Sequence, residues 1–219
     1  MIARNLGIHR MDYIKIVRSV KQGVPTSFDP TLKPENDMER ARAMRRFRIF
    51  DTPSEEIFSL YTQLAAVTLK APIGLMSFVD EEMVHYKESY GLNRAGEIVN
   101  RRNSPCSLAI MTQDVSQFRY ALADPCILAD EKVLAEAGYK FYAGAPLIAN
   151  DGYAIGIFAV VDKAPRVFTS EELSLLRTLA TEVMSEIEFR LQQLDKPNPI
   201  ELNTRILQVR HRVERGFSK

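Results

Sequence analysis

The sequence predicts an α+β domain built on an antiparallel sheet. Two pairs of β-rich runs, each pair joined by a short turn, indicate two hairpins, and helical patterns lie before the first pair and after the second. Helices drawn from both ends of a chain are expected to pack against such a sheet. A chain of 219 residues with 46% apolar residues is long enough for one such domain with extensions at its ends.

The first 36 residues precede the predicted domain. A short apolar patch predicts one short helix, and Pro25, Pro30 and Pro34 then interrupt any helical pattern. The chain therefore divides into three parts, a helix and proline-containing tether at 1–36, a domain at 37–195 and a basic extension at 196–219.

Two helices are predicted ahead of the first hairpin. Residues 37–47 are charged, with apolar residues at roughly helical spacing. A second helix is predicted to start near Pro53, because Asp51 and Thr52 offer a helix cap and proline suits the first turn of a helix. Its apolar residues between Ile57 and Leu69 follow the i, i+3, i+4, i+7 pattern, which places one stripe against a core.

The first hairpin joins two strands of different character. Residues 73–79 form an apolar run that is typical of a strand covered on both faces. Residues 84–90 alternate apolar with polar side chains, which is the pattern of a strand with one face in water. His85 and Lys87 are therefore predicted on a solvated face.

The second hairpin and the helix after it carry clear local signals. The runs 139–147 and 153–161 are separated by Asn150-Asp151-Gly152, residues that accept the positive φ angles of a tight turn. Thr169 and Glu172 have the spacing of a capping box, so a long helix is predicted to begin there.

The long helix carries a narrow apolar seam. Its members advance by alternating threes and fours, a spacing that serves either a sheet or a partner helix. If the seam pairs two copies of the chain, the residues that form the dimer contact are Leu176, Val183, Ile187 and Leu191. Pro197 and Pro199 end the helix, and the basic residues that follow predict a solvated, partly disordered tail with room for one more short helix.

Composition and charge exclude several classes of function. The net charge of +1, from 29 Lys and Arg against 28 Asp and Glu, gives no field that would favour nucleic acid. No apolar run reaches the roughly 18 residues of a spanning helix, and the N-terminus is too polar for a signal peptide, so a cytoplasmic protein without membrane contact is expected. Two isolated cysteines and three scattered histidines give no zinc-ligand spacing, so no metal is expected.

Four stretches resemble the successive landmarks of bacterial GAF domains. They are Phe50–Pro53, Gly74–Asp80, Phe141–Leu147 and Gly156–Asp162, which read FDTP, GLMSFVD, FYAGAPL and GIFAVVD. The landmarks come in the family's order with similar spacing, and the likeness runs from about Glu39 to about Leu194.

The resemblance implies a GAF-like α+β fold. In that fold a central antiparallel sheet of about six strands has the N- and C-terminal helices on one face and a pocket-forming middle segment on the other. It implies a sensory or regulatory protein, not an enzyme, that binds a small-molecule effector and signals through the geometry of a homodimer to a separate signalling protein. A ligand-free dimerisation module is the alternative, because some members of the family have no known ligand.

Six residues are candidates for the ligand pocket. Aromatic side chains on the strands would supply walls for an apolar ligand, and the middle segment is where the family places its pocket-lining loops. The candidates are Phe78, Tyr86, Cys106, Asp124, Tyr142 and Phe158. The competing interpretation is that the aromatic residues are ordinary strand core and that Asp124 caps a helix.

Cys106 is relevant to two questions, whether the chain binds a bilin cofactor and whether it has a redox function as a third alternative. Ser104-Pro105-Cys106 predicts a helix start, where an exposed thiol would favour its thiolate form. In bilin-binding relatives a linking cysteine stands at this place, but Ser107 follows here where many of them have histidine, so no bilin is expected. Haem is not expected either, and the cofactor stays unknown. A cysteine-based redox enzyme or sensor at Cys106 is the third alternative, against a buried structural cysteine.

Overall fold

The computed structural model describes residues 33–50, 52–101, 104–119 and 138–217. Its helices are α1 (Asp37–Arg45), α2 (Glu56–Thr68), α3 (Cys106–Ala109), α4 (Ser170–Asp195) and α5 (Pro199–Phe217). Its strands are β1 (Ile73–Val79), β2 (Met83–Tyr90), β3 (Ile98–Asn100), β4 (Ser116–Arg119), β5 (Phe141–Ile148) and β6 (Ala154–Asp162).

The strands form one six-stranded antiparallel sheet, which confirms the predicted fold class. Their order is β3-β2-β1-β6-β5-β4, so the two hairpins lie side by side with β1 next to β6. The turn between β5 and β6 contains Gly152 with a φ of +84°, as its sequence predicts.

Helices α1, α2 and α4 cover one face of the sheet, which we call the inner face. Buried hydrophobic side chains of the strands pack there against those of the helices, among them Met44, Phe58, Leu64, Met76, Phe78, Phe141, Phe158, Leu176 and Val183. Helix α2 lies directly on β1 because Gly74 has no side chain. A Cβ atom at this position would lie 2.1 Å from the carbonyl oxygen of Thr62.

The opposite face of the sheet, the outer face, has a second core of its own. Short helix α3 covers part of it, and its buried members include Leu75, Val84, Tyr86, Cys106, Tyr142, Ile157 and Ala159. Alternate residues of one strand supply the two cores, since successive side chains of a strand point to opposite faces. In β5, for example, Phe141 packs on the inner face and Tyr142 on the outer face.

Helix α2 begins three residues later than the sequence pattern predicts, at Glu56 rather than near Pro53. The carbonyl oxygens of Thr52 and Pro53 accept hydrogen bonds from Nζ of Lys87 at 2.9 and 2.7 Å, and the backbone N–H of Glu55 donates to the Glu88 carboxylate at 2.9 Å. These contacts hold the preceding residues outside the helix.

The prediction that Lys87 lies on a solvated face is wrong. Strand β2 has an irregular register opposite Met76 and Ser77, so that Lys87 is an extra residue in the ladder and is buried together with Glu88. Burial lowers the pKa of the Lys87 ammonium, while the charge of Glu55 opposes that decrease. His85 is half-buried and its ring contacts that of Phe50, with 4.6 Å between the ring centroids.

Helix α4 begins with the predicted capping box of Thr169 and Glu172. Its apolar seam, however, packs on the chain's own core rather than facing outward. Leu176, Val183 and Ile187 are buried in the inner-face core, and Leu191 is partly buried against it. This corrects the placement of the seam, because these side chains are not open to a second copy of the chain. A homodimer itself stays a prediction.

The C-terminal residues form a 19-residue helix instead of a solvated tail with one short helix. Helix α5 folds back along α2 and α4, and buries Val209 and Val213 in the inner-face core. Three of its arginines are paired with acidic residues of the neighbouring helices, Arg205 with Glu186 at 3.0 Å, Arg212 with Glu182 at 2.6 Å, and Arg210 with Glu56. Among the helices that the structure describes, none is long and apolar enough to cross a membrane.

Candidate functional site

Four polar side chains meet on the outer face of the sheet, and a fifth, that of Ser116, lies on the same face. Tyr86 comes from β2, Tyr142 from β5, Ser116 from β4, Cys106 from the start of α3, and Ser104 from the residues just before it. We call this group the polar cluster. All five residues are buried, and hydrophobic residues of the outer-face core surround them.

Hydrogen bonds connect four members of the polar cluster. The hydroxyls of Tyr86 and Ser104 lie 3.0 Å apart, and Ser104 Oγ accepts from the backbone N–H of Cys106 at 3.3 Å. The hydroxyl of Tyr142 donates to Cys106 Sγ at 3.4 Å. The segment that carries Ser104 and Cys106 is thereby fixed to β2 on one side and to β5 on the other.

Tyr142 reaches Cys106 because its ring lies over Gly144 of its own strand. A Cβ atom at position 144 would come within 2.6 Å of the Tyr142 hydroxyl oxygen. The ring is also stacked on that of Phe118 in β4, with 5.6 Å between centroids and 18° between the planes. The glycine of the FYAGAPL stretch therefore serves to position a tyrosine hydroxyl.

Ser116 differs from the other members of the polar cluster. It is 1% exposed, and its Oγ has no hydrogen-bond partner among the described residues. Leaving a buried hydroxyl without a partner costs about 1–3 kcal/mol, and most buried side-chain polar groups are therefore bonded. A partner for this hydroxyl is therefore expected outside the described residues.

Two tyrosines of the outer face, Tyr86 and Tyr139, are held in their neutral form. Burial raises the pKa of the Tyr86 hydroxyl, and the neighbouring Cys106 raises it further, against the hydrogen bond from Ser104. Burial likewise raises the pKa of Tyr139, whose side chain packs against the outer-face core. The polar cluster therefore presents uncharged hydroxyls, which recognise ligands through hydrogen bonds instead of charge.

The structure brings together three of the six predicted ligand-binding residues. Tyr86, Cys106 and Tyr142 belong to the polar cluster, whereas Asp124 lies outside the described residues. Phe78 and Phe158 lie in the inner-face core, so they do not line the same site. Their strands are buried on both faces, and an unbroken apolar run therefore gave no sign of which residues point which way.

Ser104 and Ser116 were not predicted as site residues. Each was the kind of small polar residue that sequence reasoning assigns to a cap or a turn. Ser104 has its partner Tyr86 on strand β2 and Ser116 lies on strand β4, so only the fold shows that both are buried on the face that carries Tyr86 and Tyr142.

The structure also bears on the redox interpretation of Cys106. The residue is fully buried, whereas a reactive thiolate at a helix start requires exposure. The second cysteine of the chain, Cys126, lies outside the described residues.

Two open clefts of about 560 and 760 Å³ flank α5 on the helical layer, away from the polar cluster.

One known protein has a similar sequence. A cyclic di-GMP phosphodiesterase of Pseudomonas aeruginosa, PA2567, is 29% identical over 155 residues, which are 70% of this chain and 26% of that protein. The chain thus spans about a quarter of the length of this relative.

Three solved structures illustrate the likeness in fold. The GAF domain of an Acinetobacter phosphoenolpyruvate-protein phosphotransferase has a TM-score of 0.50 at 16% identity and covers 72% of this chain and 96% of its own. The GAF-B domain of DevS from Mycobacterium smegmatis has a TM-score of 0.50 at 15% identity and covers 64% of this chain and 96% of its own. A far-red cyanobacteriochrome photoreceptor has a TM-score of 0.51 at 10% identity and covers 83% of this chain and 98% of its own.

The family assignment comes from the sequence itself. The family model described as GAF domain matches residues 53–187, from the residues before α2 to the last turns of α4, and this span is more than half of the chain. It includes β1 to β6, which form the complete sheet. The chain belongs to the GAF domain family.

Proposed function

We propose that this chain is a sensory GAF domain that binds a small effector at the polar cluster. The observation that supports the proposal is the buried hydroxyl of Ser116, which has no partner among the described residues and lies on the same apolar face of the sheet as Tyr86 and Tyr142. Ligand sites in proteins combine an apolar wall with a few convergent polar groups in this way. The matching effector is an uncharged molecule with an apolar body and one or two hydrogen-bonding groups.

The output of the proposed sensor is a separate signalling module. The Pseudomonas aeruginosa relative is named for cyclic di-GMP hydrolysis, and the chain matches only 26% of its length. We therefore assign the chain a regulatory role, not the hydrolysis itself, and propose that it controls an enzyme of this signalling class. Binding at the polar cluster would act on the segment of Ser104 and Cys106, which lies between β2 and β5.

A second candidate function is a protein-pairing module in the cytoplasm. Helix α5 carries three exposed hydrophobic side chains, Ile200, Leu207 and Phe217, although its opposite side is packed on the domain. Ile200 and Leu207 are seven residues apart, so they share one side of the helix. This surface, instead of the buried seam of α4, is where a second copy of the chain would bind.

Ligand binding is tested by the melting temperature of the purified protein. We expect one compound of a panel of small uncharged metabolites to raise it, because a ligand that binds only the folded state stabilises it by about 2.7 kcal/mol at one hundred times its Kd. For a chain of this size that corresponds to a shift of roughly 5–10 °C. Native mass spectrometry should show the matching increase in mass.

Two matched variants separate the polar cluster from other sites. Tyr142→Phe removes one hydroxyl of the cluster and should abolish most of the shift, whereas Tyr153→Phe, a partly buried tyrosine packed on the inner-face core, should keep it. If no compound changes the melting temperature or the mass, the sensor proposal fails. A homodimer that Ile200→Glu with Leu207→Glu dissociates would then favour the pairing module.

A further inference from the structure

A buried ionic cluster lies where α1 meets the end of β1, away from the polar cluster. Asp37 bridges two arginines, since its Oδ1 accepts from Arg40 Nε at 2.9 Å and its Oδ2 from Arg101 Nη1 at 2.8 Å. All three side chains are less than a tenth exposed. We call these residues the arginine cluster.

The two arginines are bonded very differently. Arg40 uses all three of its nitrogens, on Asp37 and on the carbonyl oxygens of Val79 and Asp80. Arg101 directs Nη1 alone to Asp37 and to the carbonyl oxygens of Asp80 at 3.1 Å and Glu81 at 3.4 Å.

The remaining edge of Arg101 is bonded to none of the described residues. Its Nε and Nη2 each expose less than 1 Å², and neither has a hydrogen-bond acceptor among the described residues. A guanidinium is always charged, and burying the donors of a charged group without acceptors costs more than burying neutral ones. An acceptor from outside the described residues is therefore expected at this edge.

The charges of the cluster indicate which kind of acceptor fits. Within the arginine cluster two guanidinium groups face one carboxylate, and the Asp80 carboxylate, which is bonded to Arg45 at the surface, also acts on Arg40. Burial lowers the pKa of Arg40, Asp37 opposes the decrease, and the nearby charge of Arg101 adds to it. The cluster thus carries one excess positive charge, and a bound anion would balance it.

We propose that the Nε and Nη2 edge of Arg101 is a binding site for a small oxyanion, a carboxylate or a phosphate. The two N–H groups of this edge are parallel and match two oxygens of such an anion. Lysine offers no such pair of parallel donors, so the site depends on arginine. The bound anion would also hold α3 in place, because Ser107 of this helix donates a hydrogen bond from Oγ to the backbone carbonyl oxygen of Arg101 at 2.5 Å.

The experiment observes Arg101 directly. In protein labelled with ¹⁵N, the Nε–H signal of Arg101 is followed while inorganic phosphate or acetate is added, with sodium chloride at matched ionic strength as the reference. We expect a saturable change with at least one of the two oxyanions, and the tighter of the two identifies phosphate or carboxylate as the preferred class. The same additions should raise the melting temperature.

Two arginine-to-lysine variants supply the specificity test. Arg101→Lys keeps the charge beside Asp37 and should weaken oxyanion binding by about tenfold or more, since it loses a pair of charge-assisted hydrogen bonds. Arg177→Lys alters an exposed arginine that is paired with Asp114 and should bind as the unaltered protein does.

Clear outcomes overturn the proposal. They are an Arg101 signal that changes with chloride as much as with the oxyanions, a signal that responds to neither oxyanion, and an Arg101→Lys variant that binds normally. The titration of the unaltered protein decides the question alone if Arg101→Lys does not fold. None of these results depends on the effector of the polar cluster.

Discussion

The inner and outer faces of the sheet are both buried, but they bury different chemistry. On the inner face the core consists of hydrophobic side chains from the helices and from alternate strand residues. On the outer face the hydrophobic core includes the hydroxyls of Tyr86, Ser104, Ser116 and Tyr142. Because a buried hydroxyl contributes less to stability than an apolar group does, we expect the inner face to stabilise the fold more than the outer face, where we propose that the effector binds.

The polar groups on the inner side support this difference. Lys87 donates to three oxygens of Thr52 and Pro53, and the Glu88 carboxylate accepts from the Glu55 backbone and from Ser59. These groups are saturated by the chain itself, so they lock the residues before α2 onto β2. Ser116 on the outer face has no such partner among the described residues.

The largest expected effect is that of Phe158→Ala on the inner face. Phe158 is fully buried, and truncating a buried phenylalanine costs about 3–5 kcal/mol because it removes apolar contacts and leaves a cavity. Urea unfolding followed by circular dichroism measures the loss.

The matched change on the outer face is Tyr142→Phe, which removes only a hydroxyl and its bond to Cys106. It should lower the free energy of unfolding by about 0.5–1.5 kcal/mol. Equal losses in Phe158→Ala and Tyr142→Phe would contradict the division between a stabilising and a recognising face.

The next effect is that of Gly74→Ala, where the inner face has no room for a methyl group. The new Cβ would lie 2.1 Å from a backbone oxygen of α2, which cannot rotate away, so helix and strand must separate. We expect a loss of about 2–3 kcal/mol in the same urea experiment.

Gly96→Ala is the control for backbone conformation. Gly96 has a φ of +81° and nothing within 4 Å of its Cβ position, so only the left-handed conformation opposes the methyl group, at about 1 kcal/mol. If Gly74→Ala costs no more than Gly96→Ala, the close contact of α2 with β1 does not limit the fold.

The sequence predicted those parts of the fold that depend on near neighbours along the chain. The turn at Gly152 and the capping box of Thr169 and Glu172 are short-range signals, and both are confirmed. The start of α2 depends on Lys87 and Glu88, more than thirty residues away, so the local cap pattern at Thr52 and Pro53 was misleading.

The site was only partly predictable for a related reason. Strands β1 and β6 are apolar on both faces, so Phe78 and Phe158 could not be separated from outer-face residues by their sequence pattern. The residues of α5 were predicted as a solvated tail from their charged composition, but Arg205, Arg210 and Arg212 have their partners Glu186, Glu56 and Glu182 on other helices. Long-range contacts decided both cases.

The smallest expected effect is that of Ser116→Ala, and it tests the outer face most directly. Ser116 Oγ has no partner among the described residues, and removing such a buried hydroxyl relieves its desolvation cost, so the free energy of unfolding should stay constant or rise by up to about 1 kcal/mol. Ser107→Ala is the matched change, because that buried hydroxyl donates to the Arg101 carbonyl oxygen, and it should lose about 0.5–1.5 kcal/mol. The free energy of unfolding is therefore expected to stay constant or rise in Ser116→Ala and to fall in Ser107→Ala. A loss in Ser116→Ala as large as that in Ser107→Ala would mean that Ser116 is already bonded, and the outer face would then have no hydroxyl free to recognise an effector.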